Sequence, residues 1–477
     1  MASDYQAISI ENQKKYGTDI GRIAPMLLVD RYDDRTHFIF ELLQNAEDAL
    51  KRRGTRKGFR RVTFYLTSDT LLLSHFGKPF DKADVCGVCG IAESTKDNNS
   101  IGRFGIGFKS VYSFTDRPEI HSGDEDFIVE NYVQPRGIAR KERHPDETMI
   151  LLPLKSDDTT ARQEITNGFK RLGPSALLFL RHIEEIKWDA EGDSYGVYLR
   201  SHPESLGPNV QRITVTGQES SQQEFDQNWL VFHRKIFVFE NKEVGQVEVA
   251  FSIQHDNDKS DRWSVQPLAT SPLVVFFPTV VSTNLGFLVQ GPYRTTPSRD
   301  NIMYNDPWNQ HLVEETASLL VEALKWLRDQ TILDTSVLRC LPLERDKFSN
   351  SIFAPLFDIV RNALIHEPLL PRFNGEYIPA LQAKLASTQE LRELFSPEQI
   401  SILFDDGMKG WLTAEITQYK ESEIRQYAMH ELDVKEVTPL MVVSRLSRNF
   451  LEAQSNDWIS RLYEFLRGQE AAALRRH

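Results

Sequence analysis

Cysteine is scarce, with three residues in a chain of 477. That excludes a disulfide framework of the kind that staples small secreted domains. Two of the three form Cys86-Gly-Val-Cys89, a spacing that would suit a metal or redox pair. Zinc takes four ligands, however, and Cys340 is the one remaining thiol. Both thiols are therefore read as packing on a short helix after Gly77. Long apolar runs are lacking too, since none approaches the ~20 residues needed to span a bilayer. The start, Met1-Ala-Ser-Asp-Tyr-Gln-Ala-Ile, has no charged-then-apolar signal pattern. Ser271-Pro-Leu-Val-Val-Phe-Phe-Pro-Thr-Val-Val reads as a buried strand interrupted by Pro278. No convincing repeat or low-complexity tract stands out. The expected location is intracellular, in the cytoplasm, with no membrane partner.

What is present is ordinary for a large globular protein: 40% hydrophobic and 26% charged residues. The length allows about three domains. A net charge of -12 argues against a nucleic-acid coat but leaves room for a local basic groove. Such a groove has one candidate, Lys51-Arg52-Arg53-Gly-Thr-Arg56-Lys57-Gly-Phe-Arg60-Arg61. It carries a single interleaved aromatic, Phe59, and begins at a helix terminus where cations are expected. Nucleic acid is thus a partner the sequence allows without favouring it.

The chemistry concentrates in two motifs. In Glu41-Leu-Leu-Gln-Asn45-Ala-Glu-Asp48-Ala49, a helical advance of about 100° per residue puts Glu41, Asn45 and Asp48 on one stripe. Ile39, Leu42, Ala46, Ala49 and Leu50 fall on the opposite side. One face can pack on a sheet while the other looks into a cleft. Thr36 is the expected N-cap, and the helix should end near Gly54. Magnesium keeps hard oxygen ligands, so the Asn45 carboxamide plus phosphate oxygens makes a reasonable set. Glu41 could then orient or deprotonate a water. Helix carboxylates are more often simply solvated, but that leaves Asn45, a poor mid-helix residue, unexplained.

The second motif is Gly102-Arg103-Phe104-Gly105-Ile106-Gly107-Phe108-Lys109-Ser110. Its glycines would let backbone N–H groups converge on an anion, with a helix beginning near Phe108 adding its positive end. The order G-x-x-G-x-G is neither the dinucleotide fingerprint nor a P-loop. Alone it could be a tight turn; paired with the helix it predicts a magnesium-nucleotide site.

Both motifs, in this order, resemble the GHKL superfamily of ATPases (gyrase B, MutL, histidine kinases, heat-shock chaperones), and more closely its sacsin-like branch. The resemblance covers about residues 20–155. It implies an α+β chain: an N-terminal Bergerat-type ATP-binding α/β sandwich over 1–190, a middle α/β domain over 191–332, and a mostly helical region over 333–477. Carried over residue by residue, Glu41 matches the catalytic base and Asn45 the magnesium ligand. Asp48 matches the water and ligand network beside the nucleotide. Gly102, Gly105 and Gly107, with Arg103, Phe104, Ile106, Phe108 and Lys109 between and after them, match the phosphate loop. Ile91-Ala-Glu-Ser94-Thr95-Lys96 resembles the start of the lid over ATP, and Thr148 sits where the family has a Gly-Thr pair near the base. Two departures stand out. His75, two residues before Gly77, occupies the place of an aspartate that accepts from the adenine amino group, and Glu147 replaces the glycine before Thr148. The implied cofactors are ATP and magnesium; a homodimer through the N-terminal domain is the implied assembly.

Further on, strands are expected at 185–198, 231–240, 246–253, 273–277 and 286–290, a polar loop at 217–224, and a long helix over 308–329. Gly291-Pro-Tyr-Arg294-Thr-Thr-Pro-Ser298-Arg299-Asp300 resembles the chaperone loop whose arginine reaches the terminal phosphate. Arg299 is the candidate, with an exposed loop arginine as the plainer alternative. Helices are expected over 388–395, 397–403 and 421–432, and the chain reads as the amino-terminal portion of a longer architecture. The leading functional expectation is an ATPase driving a chaperone-like or remodelling assembly around a client that the sequence does not identify. The alternative is a nucleotide-gated or nucleic-acid-binding module of a defence or DNA-processing system with little hydrolysis. A histidine kinase is disfavoured, because the first histidine, His37, lies inside the Asn45 helix itself.

Overall fold

A computed structural model describes residues 2–17, 34–54, 58–91, 107–220, 222–238, 242–255, 263–296 and 301–468. The chain divides into two units. The first holds Met1–Gln246, Pro272–Val281 and Gln290–Met303, the second Val247–Ser271, Ser282–Val289 and Tyr304–His477. Both mix helices and strands.

In the first unit, alternation builds the sheet. Strand β1 (Arg61–Leu66) buries Val62, Phe64 and Leu66, and β2 (Thr70–His75) buries Leu71, Leu73 and His75. This is the period of two that turns alternate side chains to one face. Further strands are β3 (Glu119–Ser122), β4 (Glu125–Glu130), β5 (Gln134–Gly137) and β6 (Thr148–Pro153). After them come β7 (Glu185–Ala190), β8 (Ser194–Arg200), β9 (Glu204–Gly207), β10 (Val210–Glu219) and β11 (Phe225–Val238). They pair in the order β11-β10-β8-β7-β1-β2-β6-β3-β4-β5, with β9 on β10. Neighbours are antiparallel except β1 and β7, which run parallel. Helices α1 (Tyr5–Tyr16), α2 (Phe38–Arg53), α3 (Lys82–Cys89) and α4 (Ala161–Leu172) complete the unit.

Helix α2 is the motif helix, and its apolar face is buried as its sequence requires: Phe38, Ile39, Leu42, Leu43, Ala46, Ala49 and Leu50. Its start differs from expectation. Thr36 lies in a 3₁₀ turn, Arg35–His37, and the Asp34 carboxylate caps that turn by accepting from the Thr36 N–H (2.9 Å) and hydroxyl (2.7 Å). An aspartate one turn earlier accepts more strongly than the threonine hydroxyl could. The helix does end at Gly54, whose φ of 66° suits glycine.

Two devices stitch α2 down. At Gly77 a Cβ would stand 2.5 Å from the Ala49 Cβ, and the Lys78 N–H donates to the Ala49 carbonyl at 2.8 Å. The buried Glu47 carboxylate accepts from the N–H groups of Arg181 (2.8 Å), His182 (2.9 Å) and Ile183 (2.8 Å), holding the approach to β7.

Elsewhere three expectations shift. The polar segment after Gly217 is partly strand, because β10 runs to Glu219. The break in the apolar run falls at Phe276, whose φ is 64°, and Pro278 sits inside the strand Phe277–Ser282. After Gly107 the chain forms a 3₁₀ helix, Gly107–Ser113, rather than an α-helix, so the expected helix dipole there is weaker.

In the second unit a long helix, Pro307–Asp329, is capped by Asp306, which accepts from the Trp308 N–H at 2.8 Å. The segment after residue 369 holds helices Gln389–Leu394, Pro397–Phe404 and Ser422–His430, close to expectation. It also holds a parallel sheet with Ala383–Ala386 between Gly410–Trp411 and Lys435–Val437. Strands this short carry no readable period.

Replacing Glu47 by alanine would take the acceptor from three backbone N–H groups, that of Ile183 buried and those of Arg181 and His182 partly so. The expected loss is about 2–4 kcal/mol, read as a lowered urea midpoint at unchanged slope; a midpoint within error of wild type would contradict this role.

Candidate functional site

On the expected stripe of α2, Asn45 and Asp48 are partly open and Glu41 is buried. Between Phe38 and Leu50 only Phe40, Asn45 and Asp48 are half-buried, and Glu41, next on that stripe, is 7% exposed. Arg35, just ahead of the helix, ties it to the turn after the glycine motif. Its guanidinium donates to the Ser113 carbonyl (2.7 Å), pairs with Glu164 (3.1 Å) and Asp158, and lies 4.2 Å from the Phe114 ring centroid.

That clamp brings the two motifs together. A Cβ built on Gly107 would stand 2.0 Å from the Glu41 Oε2 and 2.9 Å from its Cδ. Glycine is the residue that allows backbone and carboxylate to approach so closely. On the other oxygen, His37 Nε2 lies 3.5 Å from Glu41 Oε1, one turn back. His37 was not foreseen as a site residue; its signal was the i, i+4 spacing to Glu41, which places both on one face.

The other candidates divide. Thr148, fully buried, sits between His75 of β2 and Ser122 of β3 in cross-strand register, with its hydroxyl 2.5 Å from the Ser122 Oγ. The Ser122 Oγ also accepts from the Phe80 N–H (3.0 Å). His75 is buried, and its Nδ1 accepts from the Gly77 N–H at 3.1 Å. The ring is thereby assigned as neutral with its proton on Nε2. Burial, aided by the Arg52 and Arg53 charges, pulls its pKa down to about 4. Phe108 is buried in the 3₁₀ helix. The Lys109 ammonium donates to the carbonyls of Val88 (2.6 Å) and Tyr132, and burial lowers its pKa to about 8. It anchors the chain after Gly107. Ser94, Thr95, Lys96, Gly102, Arg103, Phe104, Gly105, Ile106 and Arg299 lie outside the described residues.

Comparison with known proteins bears on this region. Residues 66–148 match the Sacsin domain family. The region is sacsin-like. That span holds His75, Gly77, Gly107 and Thr148, while Glu41, Asn45 and Asp48 precede it. Protein NO VEIN of Arabidopsis thaliana is 27% identical over 341 residues, covering 65% of this chain and 12% of that protein. Human Sacsin is 34% identical over 217 residues, covering 41% of this chain and 4% of that protein. The chain thus spans a small part of each of these curated relatives.

Around the sacsin-like segment, several described arginines of the basic cluster are engaged locally. Arg52 pairs with Asp84 (2.6 Å) and Arg61 with Glu185 (2.7 Å). Arg53 donates to the carbonyls of Phe59 (3.0 Å) and Phe76 (2.5 Å). Arg56 and Lys57 lie outside the described residues. The thiol of Cys89 is buried on α3, with its pKa pushed up to about 12 by that burial. No metal-binding cluster occurs among the described residues, and no helix among them is long and apolar enough to cross a membrane.

The neutral His75 has a consequence for acid stability. Its folded pKa is about 4 against an ordinary 6.5, so between those values the unfolded chain binds a proton that the folded chain does not. Stability is therefore full above pH 6.5 and falls as pH drops towards 4, by about 3 kcal/mol from this residue. In His75→Gln the urea midpoint should flatten over that window; an unchanged acid limb would contradict the assignment.

Proposed function

We propose that the first unit is an ATP-binding domain of the GHKL, Bergerat-type class, and that it binds ATP with magnesium and hydrolyses it. The observation that carries this reading is the meeting of the Glu41 carboxylate with Gly107, whose missing Cβ leaves the place that the Glu41 Oε2 takes. A carboxylate set against the backbone of the glycine motif suits a general base acting on a water beside a phosphate held by that motif.

The residues present fit such a ligand. Asn45, one turn beyond Glu41 on the open stripe, would hold magnesium through its carboxamide oxygen, and that ion would supply charge neutralisation at the phosphates. Glu41 takes a proton from the attacking water as general base. His37, near the other carboxylate oxygen, orients that base. Thr148 and Ser122, bonded to each other, tie the start of β6 to the end of β3. Arg299 remains a proposed contact to the terminal phosphate. The sacsin-like similarity is consistent with the nucleotide cycle serving a chaperone-like or sacsin-related assembly.

Glu41→Ala is expected to bind Mg·ATP within about threefold of wild type while phosphate release drops by at least about 100-fold. Asn45→Ala is expected to lose the magnesium dependence of binding in calorimetric titrations with and without the ion. Wild-type phosphate release from the Glu41 variant would sink the proposal.

A further inference from the structure

Among the described residues of the second unit, one buried cation has no carboxylate partner. Arg392, on the helix Gln389–Leu394, is 5% exposed, and its Nε has no hydrogen-bond partner. No described carboxylate pairs with it. The other buried cation nearby is treated differently: Lys384 has Asp406 at 2.5 Å. Burial lowers the Arg392 pKa, offset in part by the exposed Glu393 beside it. A recessed, uncompensated guanidinium lowers stability unless something else is gained.

Its surroundings are stiff. Three successive carbonyls at the end of its helix accept from side chains: Glu393 from Arg461 (3.0 Å), Leu394 from the Trp458 indole (2.8 Å), and Phe395 from the Trp411 indole (2.8 Å). The guanidinium carbon lies 5.4 Å from the ring centroid of Phe373, a residue 47% exposed and fixed by its N–H to the Trp411 carbonyl (3.1 Å). The helix and Phe373 are thus both tied to Trp411. A planar donor fork under an exposed aromatic ring is pre-organised for an oxyanion that brings apolar surface with it.

We propose that Arg392 and Phe373 form a receptor for an acidic peptide segment of a partner protein, its carboxylate on the guanidinium and a neighbouring apolar side chain on the ring. The local charge favours a carboxylate over a phosphate. Arg372 is already taken by Glu376 (2.5 Å), and the Glu393 carboxylate lies next to Arg392, so the net positive charge beside the guanidinium is small.

The test uses the full chain and the probe N-acetyl-Leu-Glu-amide, with N-acetyl-Leu-Gln-amide and inorganic phosphate as comparisons. Binding is followed through the arginine Nε–Hε NMR signal that disappears in Arg392→Gln. The acidic dipeptide should shift this signal saturably, the glutamine dipeptide should not, and Phe373→Ala and Arg392→Lys should each weaken binding by about tenfold. Arg392→Gln should unfold at or above the wild-type temperature, since it removes an unpaired buried charge. No saturable shift, equal response to both dipeptides, tighter binding of phosphate, or a clearly lowered unfolding temperature in Arg392→Gln would each overturn the proposal.

Discussion

A Cβ at Gly107 would stand 2.0 Å from the Glu41 carboxylate oxygen, so a side chain there would displace that carboxylate or the loop. That steric constraint links two segments more than sixty residues apart and defines the candidate site. It holds only if α2 is immobile, and much of the first unit serves that end. Glu47 collects three backbone N–H groups, Gly77 lets β2 close on Ala49, and Arg35 clamps the helix start to Ser113. Each contact is modest alone; together they fix where the Glu41 carboxylate stands.

Much of this was legible because it follows a period. The 3.6-residue stripe on α2 separated the buried Ile39, Leu42, Ala46, Ala49 and Leu50 from the half-open Asn45 and Asp48, and alternation marked β1 and β2. What the sequence hid lacked a period. Thr36 looked like a cap until Asp34 took the role, and the chain after Gly107 wound as 3₁₀. Glu47 carried no sequence signal, because its partners lie over 130 residues away. The parallel sheet around Ala383–Ala386 rests on strands of two to four residues, too short to announce themselves.

The polar groups buried near the site are neutral or paired rather than free to migrate. His75 is kept neutral by burial and by the Gly77 N–H on Nδ1, and Lys109 is held between two carbonyls. A donor tautomer at His75 differs in kind from an accepting aspartate. Arg392 in the second unit breaks this pattern, which is why it draws attention as a receptor for something outside the chain.

The most direct measurement of the central contact is calorimetric binding of Mg·ATP to Gly107→Ala, with circular dichroism to confirm that the fold is kept. The methyl group would displace the Glu41 carboxylate or the loop, and affinity should fall by about tenfold or more relative to a wild type that binds. Wild-type affinity in the variant, or no Mg·ATP binding by the wild-type chain, would contradict the account.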